Sequence, residues 1–438
     1  MGCMRLGRMT TFWNTILSIE LFKNTMSLKR FRQLRLNLHF IDNLLIPPNC
    51  NDKFFKIRPL IETIRKRCQE EPVEEDVCID EQIIPFKGKL SCKIYQEGKP
   101  NPWGIKNYVL CGKSGFPYEF ELYQGKNTNL DENLVRTVDF SSAIVLHLCK
   151  RLTKSGHNLY FDNFFNSYNL LEILSQRNIN AAGTARVNRF GRTTFVSDKD
   201  LLKQGRGSSG CLVSTDGKIC IVKWLDNKPI YLASNFVAIG EQDVAKRFCK
   251  MTKETIEVKR PKIMKEYNES KGGVDLLDQL ISYYRIFLKP SKWILRITSH
   301  FIDFALVSSW ILYKKNCNRH KIPTKDIMKL HDFRMKVANR LVLFEKAATI
   351  RKRGRPMSII NSDVRPSSKV RRYETRPQKE VSEDRVDHFP AHDGKTSQTR
   401  CKNIGCRRRT YFICTKCKIH LCVSNENNCF LNYHKSLN

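Results

Sequence analysis

The chain has 438 residues, room for about two to four domains. Its 77 Lys and Arg stand against 43 Asp and Glu, a formal charge of +34. That balance disfavours an ordinary near-neutral enzyme and favours a polyanion partner, nucleic acid first; the competing reading is a solvated basic surface. Met1 to Thr10 lacks the apolar run and small-residue cleavage site of a signal peptide. The longest apolar stretch, Trp293 to Tyr313, contains Arg296, His300 and Asp303, which argues for a core helix rather than a membrane span. The expectation is a soluble intracellular protein with no membrane partner. Of 17 cysteines, six crowd into the last 40 residues, the pattern of metal binding rather than of a disulfide framework.

Residues 1 to about 75 read as helical. Phe12, Ile16 and Ile19 recur at helical spacing, as do Leu28, Phe31, Leu34, Leu38 and Ile41. Lys29, Arg30, Arg32 and Arg35 fall between the latter set, giving a basic helix with one apolar face. It reads equally as a DNA-backbone contact and as a core helix with a solvated side. A turn at Pro47-Pro48 precedes renewed helical spacing from Phe55 to Cys68. The texture then changes to short apolar runs: Val77-Cys78-Ile79, Ile83 to Phe86, Tyr108 to Cys111 and Tyr118 to Leu122. A helix over Leu134 to Leu152, a short buried strand Leu159-Tyr160-Phe161, a helix over Ser167 to Arg177 and a strand Ile179 to Gly183 follow. Strands and then strand–helix–strand alternation predict a mixed α/β core.

Residues 188 to 261 are rich in Thr, Val, Lys and Gly, and predict a β-rich insertion with a hairpin around Asp226-Asn227-Lys228. Helices return at Lys265 and cover Val274 to Tyr284, Trp293 to Tyr313 and Thr324 to Ala347. Residues 350 to 398 are polar and poor in aromatics, and read as a basic disordered linker. Arg353-Gly354-Arg355-Pro356 resembles the core of a minor-groove AT-hook, and Lys369 to Arg372 adds a second basic cluster suited to nuclear import.

The C-terminal spacing is specific: Cys401-x4-Cys406-x7-Cys414-x2-Cys417-x4-Cys422-x6-Cys429-x4-His434, with His420 inside it. Eight thiolate and imidazole ligands suit two structural Zn²⁺ ions. So short a segment would take most of its folding free energy from the metal. Spacing alone does not pair the ligands; interleaving is expected, and His388 and His392 are upstream substitutes.

Four acids complete the chemistry. Asp80 is placed at the end of a first strand and Asp162 at the end of a later one. Asp275 and Asp278 lie one helical turn apart on a helix, so they share a face. Strand-end carboxylates converge where parallel neighbours finish, and such acids can hold two divalent cations for phosphodiester chemistry. Mg²⁺ or Mn²⁺ both suit hard oxygen ligands.

The chain resembles the piggyBac family of transposases and the host proteins derived from them. The matching segments are Asp80 to Gly88, Lys99-Pro100 through Lys106, Phe161 to Phe165, Gly183 to Arg189 and Tyr267 through Gln279, in family order over nearly the whole chain. The resemblance implies an RNase H-like α/β core with a β-rich insertion, an all-helical dimerisation and DNA-binding domain, and a small Cys-rich zinc module. It divides the chain into 1–75 (helical, first part), 76–187 (core), 188–261 (insertion), 262–287 (core helix with the third Asp), 288–349 (helical, second part), 350–398 (linker) and 399–438 (zinc module). It implies that Asp80, Asp162 and Asp275 bind the catalytic metal, that Asp278 is an added acid, and that Trp293 lies near the site. The implied reaction is cut-and-paste transposition in the nucleus by a homodimer. Water nicks the transposon end, the freed 3′-hydroxyl forms a hairpin, the hairpin opens, and the 3′ ends join a TTAA target. The Cys-rich end would recognise the terminal inverted repeats.

Two departures stand out. Met1 to Leu6 looks like the middle of a longer relative, so part of the helical domain is expected to be missing. Pro102 stands beside Trp103 where a polar or basic residue is expected. The alternatives are a domesticated, catalytically silent DNA- or chromatin-binding protein, and a zinc-dependent chromatin adaptor or RNA-binding factor that uses only the linker and Cys-rich end.

Overall fold

The structure is a computed structural model that describes residues 2–4, 6, 8–14, 19–191, 194–249, 253–286, 288, 292–344, 377, 379–382, 384 and 386–435. It falls into two units, residues 1–352 and 353–438. The AT-hook-like and second basic clusters expected at 353–356 and 369–372 lie outside the described residues.

The first unit begins with a 3-10 turn (Met9–Trp13) and two short helices, α1 (Glu20–Thr25) and α2 (Leu28–Leu36). The sequence predicted one longer basic helix through Ile41. Instead Asn37 ends α2, its side-chain amide donating to the Gln33 carbonyl at 2.8 Å. No residue of α2 is buried, and Leu34, Leu36 and Leu38 are exposed, so its apolar side is not a core face. Helix α3 (Arg58–Gln69) starts with Pro59 in its first turn, where a missing N–H costs nothing, and buries Ile61 and Cys68.

Strands β1 (Asp76–Pro85), β2 (Ile94–Tyr95), β3 (Trp103–Gly112) and β4 (Pro117–Leu122) come next. The two short apolar runs around Asp80 are one strand, buried on both faces as a central strand should be. The helix expected over Leu134 to Leu152 is broken into α4 (Glu132–Thr137) and α5 (Phe140–Leu148). Asp139 makes the break, because its carboxylate caps α5 by accepting from Ser142 N–H at 2.6 Å. Then follow β5 (Asn158–Phe161), α6 (Tyr168–Gln176, capped by Ser167) and β6 (Asn180–Thr184). The insertion supplies α7 (Asp198–Lys203), β7 (Ser209–Val213), β8 (Cys220–Leu225), β9 (Pro229–Ser234), β10 (Asp243–Cys249) and β11 (Glu254–Arg260). Helices α8 (Lys262–Ser270), α9 (Gly273–Tyr283), α10 (Trp293–Arg319) and α11 (Leu330–Leu343) complete the unit.

The main sheet has the order β2-β3-β1-β5-β6-β9-β8-β7, with β4 also on the outer edge of β3. Strands β4, β3 and β1 are antiparallel, and β1, β5 and β6 are parallel. This five-strand arrangement fits an RNase H-like core. The expected insertion is only partly separate. Its strands β9, β8 and β7 extend the core sheet, because β9 pairs with the open edge of β6 from Thr184↔Leu232 to Ala182↔Ser234. Strands β10 and β11 form a hairpin of their own.

Helix α10 is long and apolar enough to cross a bilayer, yet 67% of its most apolar window is buried inside the protein. Its Phe301 and Phe304 pack against Phe120 of β4, with ring centres 5.4 and 5.3 Å away. Its Asp303 is wholly buried, accepts from the Ile286 N–H at 2.8 Å and pairs with Arg334 of α11. Here the charged residue inside the apolar run marks a helix–helix tie.

The second unit contains α12 (Lys379–Ser382), β12 (Pro390–His392), β13 (Thr399–Arg400), β14 (Arg409–Thr410), β15 (Phe412–Cys414) and α13 (Cys429–His434). β12 pairs with β15, so the ordered module reaches upstream of residue 399, where the sequence reading began it.

Candidate functional site

Strand β1 is the axis of the acidic site. Its parallel pairing with β5 runs from Asp76↔Asn158 to Ile79↔Phe161. The next residue on each chain is an acid, so Asp80 and Asp162 stand level on neighbouring strands, whose usual separation is about 4.8 Å. The sequence reading put Asp80 at a strand end. It lies mid-strand, because β3 goes on pairing with β1 as far as Pro85↔Gly104. What ends at Asp80 is the parallel ladder. Asp162 turns out of the sheet at once. Its Oδ1 accepts from the Phe164 N–H at 2.8 Å, and the buried Asn166 amide ties the turn to the Gly183 and Thr184 carbonyls at 2.9 and 3.0 Å.

Helix α9 brings the other two acids and packs on β1 and β3. Gly273 lets it approach: a Cβ there would collide with the Gly112 carbonyl and the Cys78 sulfur. Asp275 is exposed in the first turn of α9, and Asp278 is half-buried one turn later. Burial pushes the Cys78 thiol up to about 12, and the charges of Asp80 and Asp275 add to it.

The electrostatics fit a cation. Burial, with the charges of Glu81 and Asp162 adding to it, pushes the Asp80 carboxyl up to about 8. Burial also raises Asp162, with Glu81 adding repulsion, and raises Asp278 to about 6. Lys106 of β3 pairs with Ile83, on the Glu81 face of the sheet, and feels the acids from there. Its ammonium lies 5.5 and 5.4 Å from the Tyr108 and Phe164 ring centres; burial lowers its pKa, against the pull of Glu81, Asp162 and Asp80. Crowded, partly desolvated oxygen donors of this kind are relieved by a hard divalent ion such as Mg²⁺ or Mn²⁺. Among the described residues, however, the acids do not bring three ligand atoms within 4.8 Å of one another. Trp293 starts α10 and packs edge-on against Phe54, 5.7 Å between ring centres.

The second unit does gather ligands that tightly. His388, Cys414, Cys417 and His434 form one group of four, and Cys401, Cys406, Cys422 and Cys429 form another. The groups interleave along the chain. His388 Nδ1 lies 3.3 and 3.4 Å from the Cys414 and Cys417 sulfurs, and His434 Nε2 lies 3.5 Å from Cys417. The other ring nitrogens are held: His434 Nδ1 donates to the Phe430 carbonyl at 2.8 Å, and His388 Nε2 lies 2.9 Å from an Asp384 carboxylate oxygen. Such outer partners fix the tautomer that presents a lone pair to a metal. Each set has the donors of a closed Zn²⁺ site. His420, predicted as a ligand, stands outside both groups; its Nε2 pairs with Asp393 at 2.8 Å, and His388 fills the eighth place instead. His392 is no ligand here, its ring stacking on Tyr411. The six cysteines of this unit are free of disulfides.

Sequence reasoning missed Lys106, Gln82 and His300. Gln82 follows Asp80 by two residues on β1 and so shares its face, a signal the alternation already carried.

Comparisons with known proteins bear on this arrangement. A family described as Transposase IS4 matches residues 1–310. Human PiggyBac transposable element-derived protein 3 is 30% identical over 442 residues, covering 99% of this chain and 68% of that protein. Human PiggyBac transposable element-derived protein 2 is 29% identical over 410 residues, covering 91% of this chain and 63% of that protein. A cryo-EM structure of a piggyBac transposase synaptic complex with hairpin DNA superposes with a TM-score of 0.66 at 22% identity, covering 96% of this chain and 84% of that one. That likeness speaks for the fold. With a family match across most of its length and relatives aligned over nearly all of it, the chain belongs to the piggyBac-type transposases and the proteins derived from them.

Proposed function

We propose that the chain is a metal-dependent DNA transposase that cleaves transposon ends and joins them to TTAA targets. The observation that carries this is the parallel register that sets Asp80 level with Asp162, beneath the helix bearing Asp275 and Asp278. Asp80, Asp162 and Asp275 would hold Mg²⁺ or Mn²⁺, with Asp278 as a further acid. When bound, the cations would polarise a phosphodiester and help deprotonate its attacking hydroxyl. The chain's own part is to hold the acids on a rigid sheet and to set cations of its own beside the anionic backbone. Lys106 sits between two rings and feels the charges of Glu81, Asp162 and Asp80, and Arg186 Nε donates at 3.1 Å to Oδ1 of Asn163, the residue after Asp162.

The charge of +34 supports a double-stranded DNA partner, bound by the helical parts and the Cys-rich unit, and a nuclear location. Cutting two ends calls for two copies of the chain. Two Zn²⁺ ions would hold the Cys-rich unit. The names of the human relatives, transposable element-derived proteins, favour a second reading: a retained DNA-binding protein without strand transfer. Purified protein, Mg²⁺ and a labelled duplex with candidate inverted repeats flanked by TTAA separate the two. Nicking and hairpin formation by wild type, lost in Asp80→Asn, supports the transposase; tight binding without cleavage supports the second reading.

A further inference from the structure

Gln82 is wholly buried on β1. Its amide nitrogen donates to Asp278 Oδ1 at 2.6 Å. Its Oε1 accepts from the Asn107 amide at 3.2 Å and lies 2.9 Å from His300 Nε2. An ionised carboxylate only accepts, so the amide nitrogen must face Asp278 and the amide oxygen must face the other two. That makes Nε2 the protonated nitrogen of His300. His300 is nearly inaccessible to bulk solvent, and Asn107 is wholly so. Four elements, β1, β3, α9 and α10, therefore converge on one amide, and only one orientation of it satisfies all three partners. Reversal would set an amide oxygen against a carboxylate and a nitrogen donor against two others.

We infer that Gln82, oriented by His300 and Asn107, is the positioning residue for Asp278. It commits Oδ1 and leaves Oδ2 as the oxygen that serves the cation-binding acids. The chain of contacts also ties the acid to α10, whose Arg296 donates to the Pro85 carbonyl at the end of the same strand at 2.6 Å. A shift of α10 against β1 is then felt at Asp278 through His300 and Gln82. This inference rests on the metal-dependent reading of the acidic site, and its test separates the two.

The experiment uses the full, zinc-loaded chain and four variants: Gln82→Met, His300→Phe, His300→Asn and, as a reference, Asp278→Asn. Four quantities are read: Mn²⁺ binding by calorimetry, single-turnover cleavage against metal concentration, DNA affinity, and the thermal midpoint. Gln82→Met should weaken Mn²⁺ binding and slow cleavage by about 10- to 100-fold, the usual scale for outer partners of metal ligands. DNA affinity should hold. His300→Phe should do the same in smaller measure, and His300→Asn, which restores a donor, should recover most of the loss. Wild-type Mn²⁺ binding in Gln82→Met overturns the inference, as does equal loss in His300→Phe and His300→Asn. If wild type binds Mn²⁺ but cleaves nothing, the transposase reading fails, and the Mn²⁺ titrations still decide the positioning role.

Discussion

At the scale of single residues, burial decides which side chains carry charge. Glu121 of β4 is wholly buried; burial pushes its carboxyl up to about 7, against the pull of Arg65 and Arg58. His147 of α5, 3.9 Å from it, is pushed down to about 4 by burial, with Lys150 and Arg65 adding. Each shift has a sign. Stability from a carboxyl raised above its ordinary 4.5 is present below that value and lost as pH rises through about 7. Stability from an imidazole lowered from 6.5 is present above that value and lost as pH falls through about 4. Over the shared window the two slopes oppose. Glu121→Gln should therefore gain in thermal midpoint relative to wild type as pH rises from 5 to 7, and His147→Gln should show the reverse. Parallel pH profiles for all three proteins would contradict the assignment. Asp162→Asn belongs to the same scale. It removes a half-buried carboxylate level with Asp80, and should lower strand cleavage by at least about 10³-fold while DNA affinity holds or rises, as measured by gel cleavage and by binding titration.

The placement of Asp162 after a strand and of Asp275 and Asp278 on one helix was legible because their neighbours are apolar and periodic. His300 was not: a single histidine in an apolar helical run reads as a core residue, and only tertiary structure brings it to Gln82. His388 was held only as a substitute, behind His420, because one-dimensional spacing counts the nearer ligand, whereas β12 folds the upstream segment back onto β15.

Among elements, the hairpin was read correctly, while the helix predicted through Ile41 from apolar spacing ends at Asn37. The hairpin β8–β9 pairs from Leu225↔Pro229 as its turn sequence required. The long helix predicted after Leu134 failed at Asp139, whose cap outweighs continued apolar spacing. The mid-strand position of Asp80 was hidden because a strand's length is set by its partner, here β3. The Cys-rich element carries its own prediction. Its buried cluster is small, mostly cysteine with Ile419, Leu421 and Phe430, and cannot hold the fold alone. Elemental analysis should give two zinc ions per chain, and chelation should unfold residues 388–434 while the main sheet keeps its circular dichroism. Replacing Cys401 or Cys414 should each release one ion; His420→Gln should release none. Loss of zinc in His420→Gln would overturn the grouping seen here.

For the whole molecule, charge and sheet continuity matter most. The β-rich insertion was legible from composition, but not its fusion to the core through β6 and β9, because edge-to-edge pairing of distant strands leaves no local signal. The net charge of +34 was legible and predicts phosphate-dominated binding. Affinity for duplex DNA should fall by about 10³-fold or more between 50 and 200 mM salt if six or more phosphates are contacted. A flat salt response would exclude that interface.

The central claim, that Asp80, Asp162 and the acids of α9 form one working site, is tested most directly by excision in cells. A reporter is interrupted at a TTAA site by ends that the purified protein binds, and wild type is compared with Asp275→Ala at equal expression. The account predicts reporter repair with wild type and none with Asp275→Ala. Equal repair by both would contradict it.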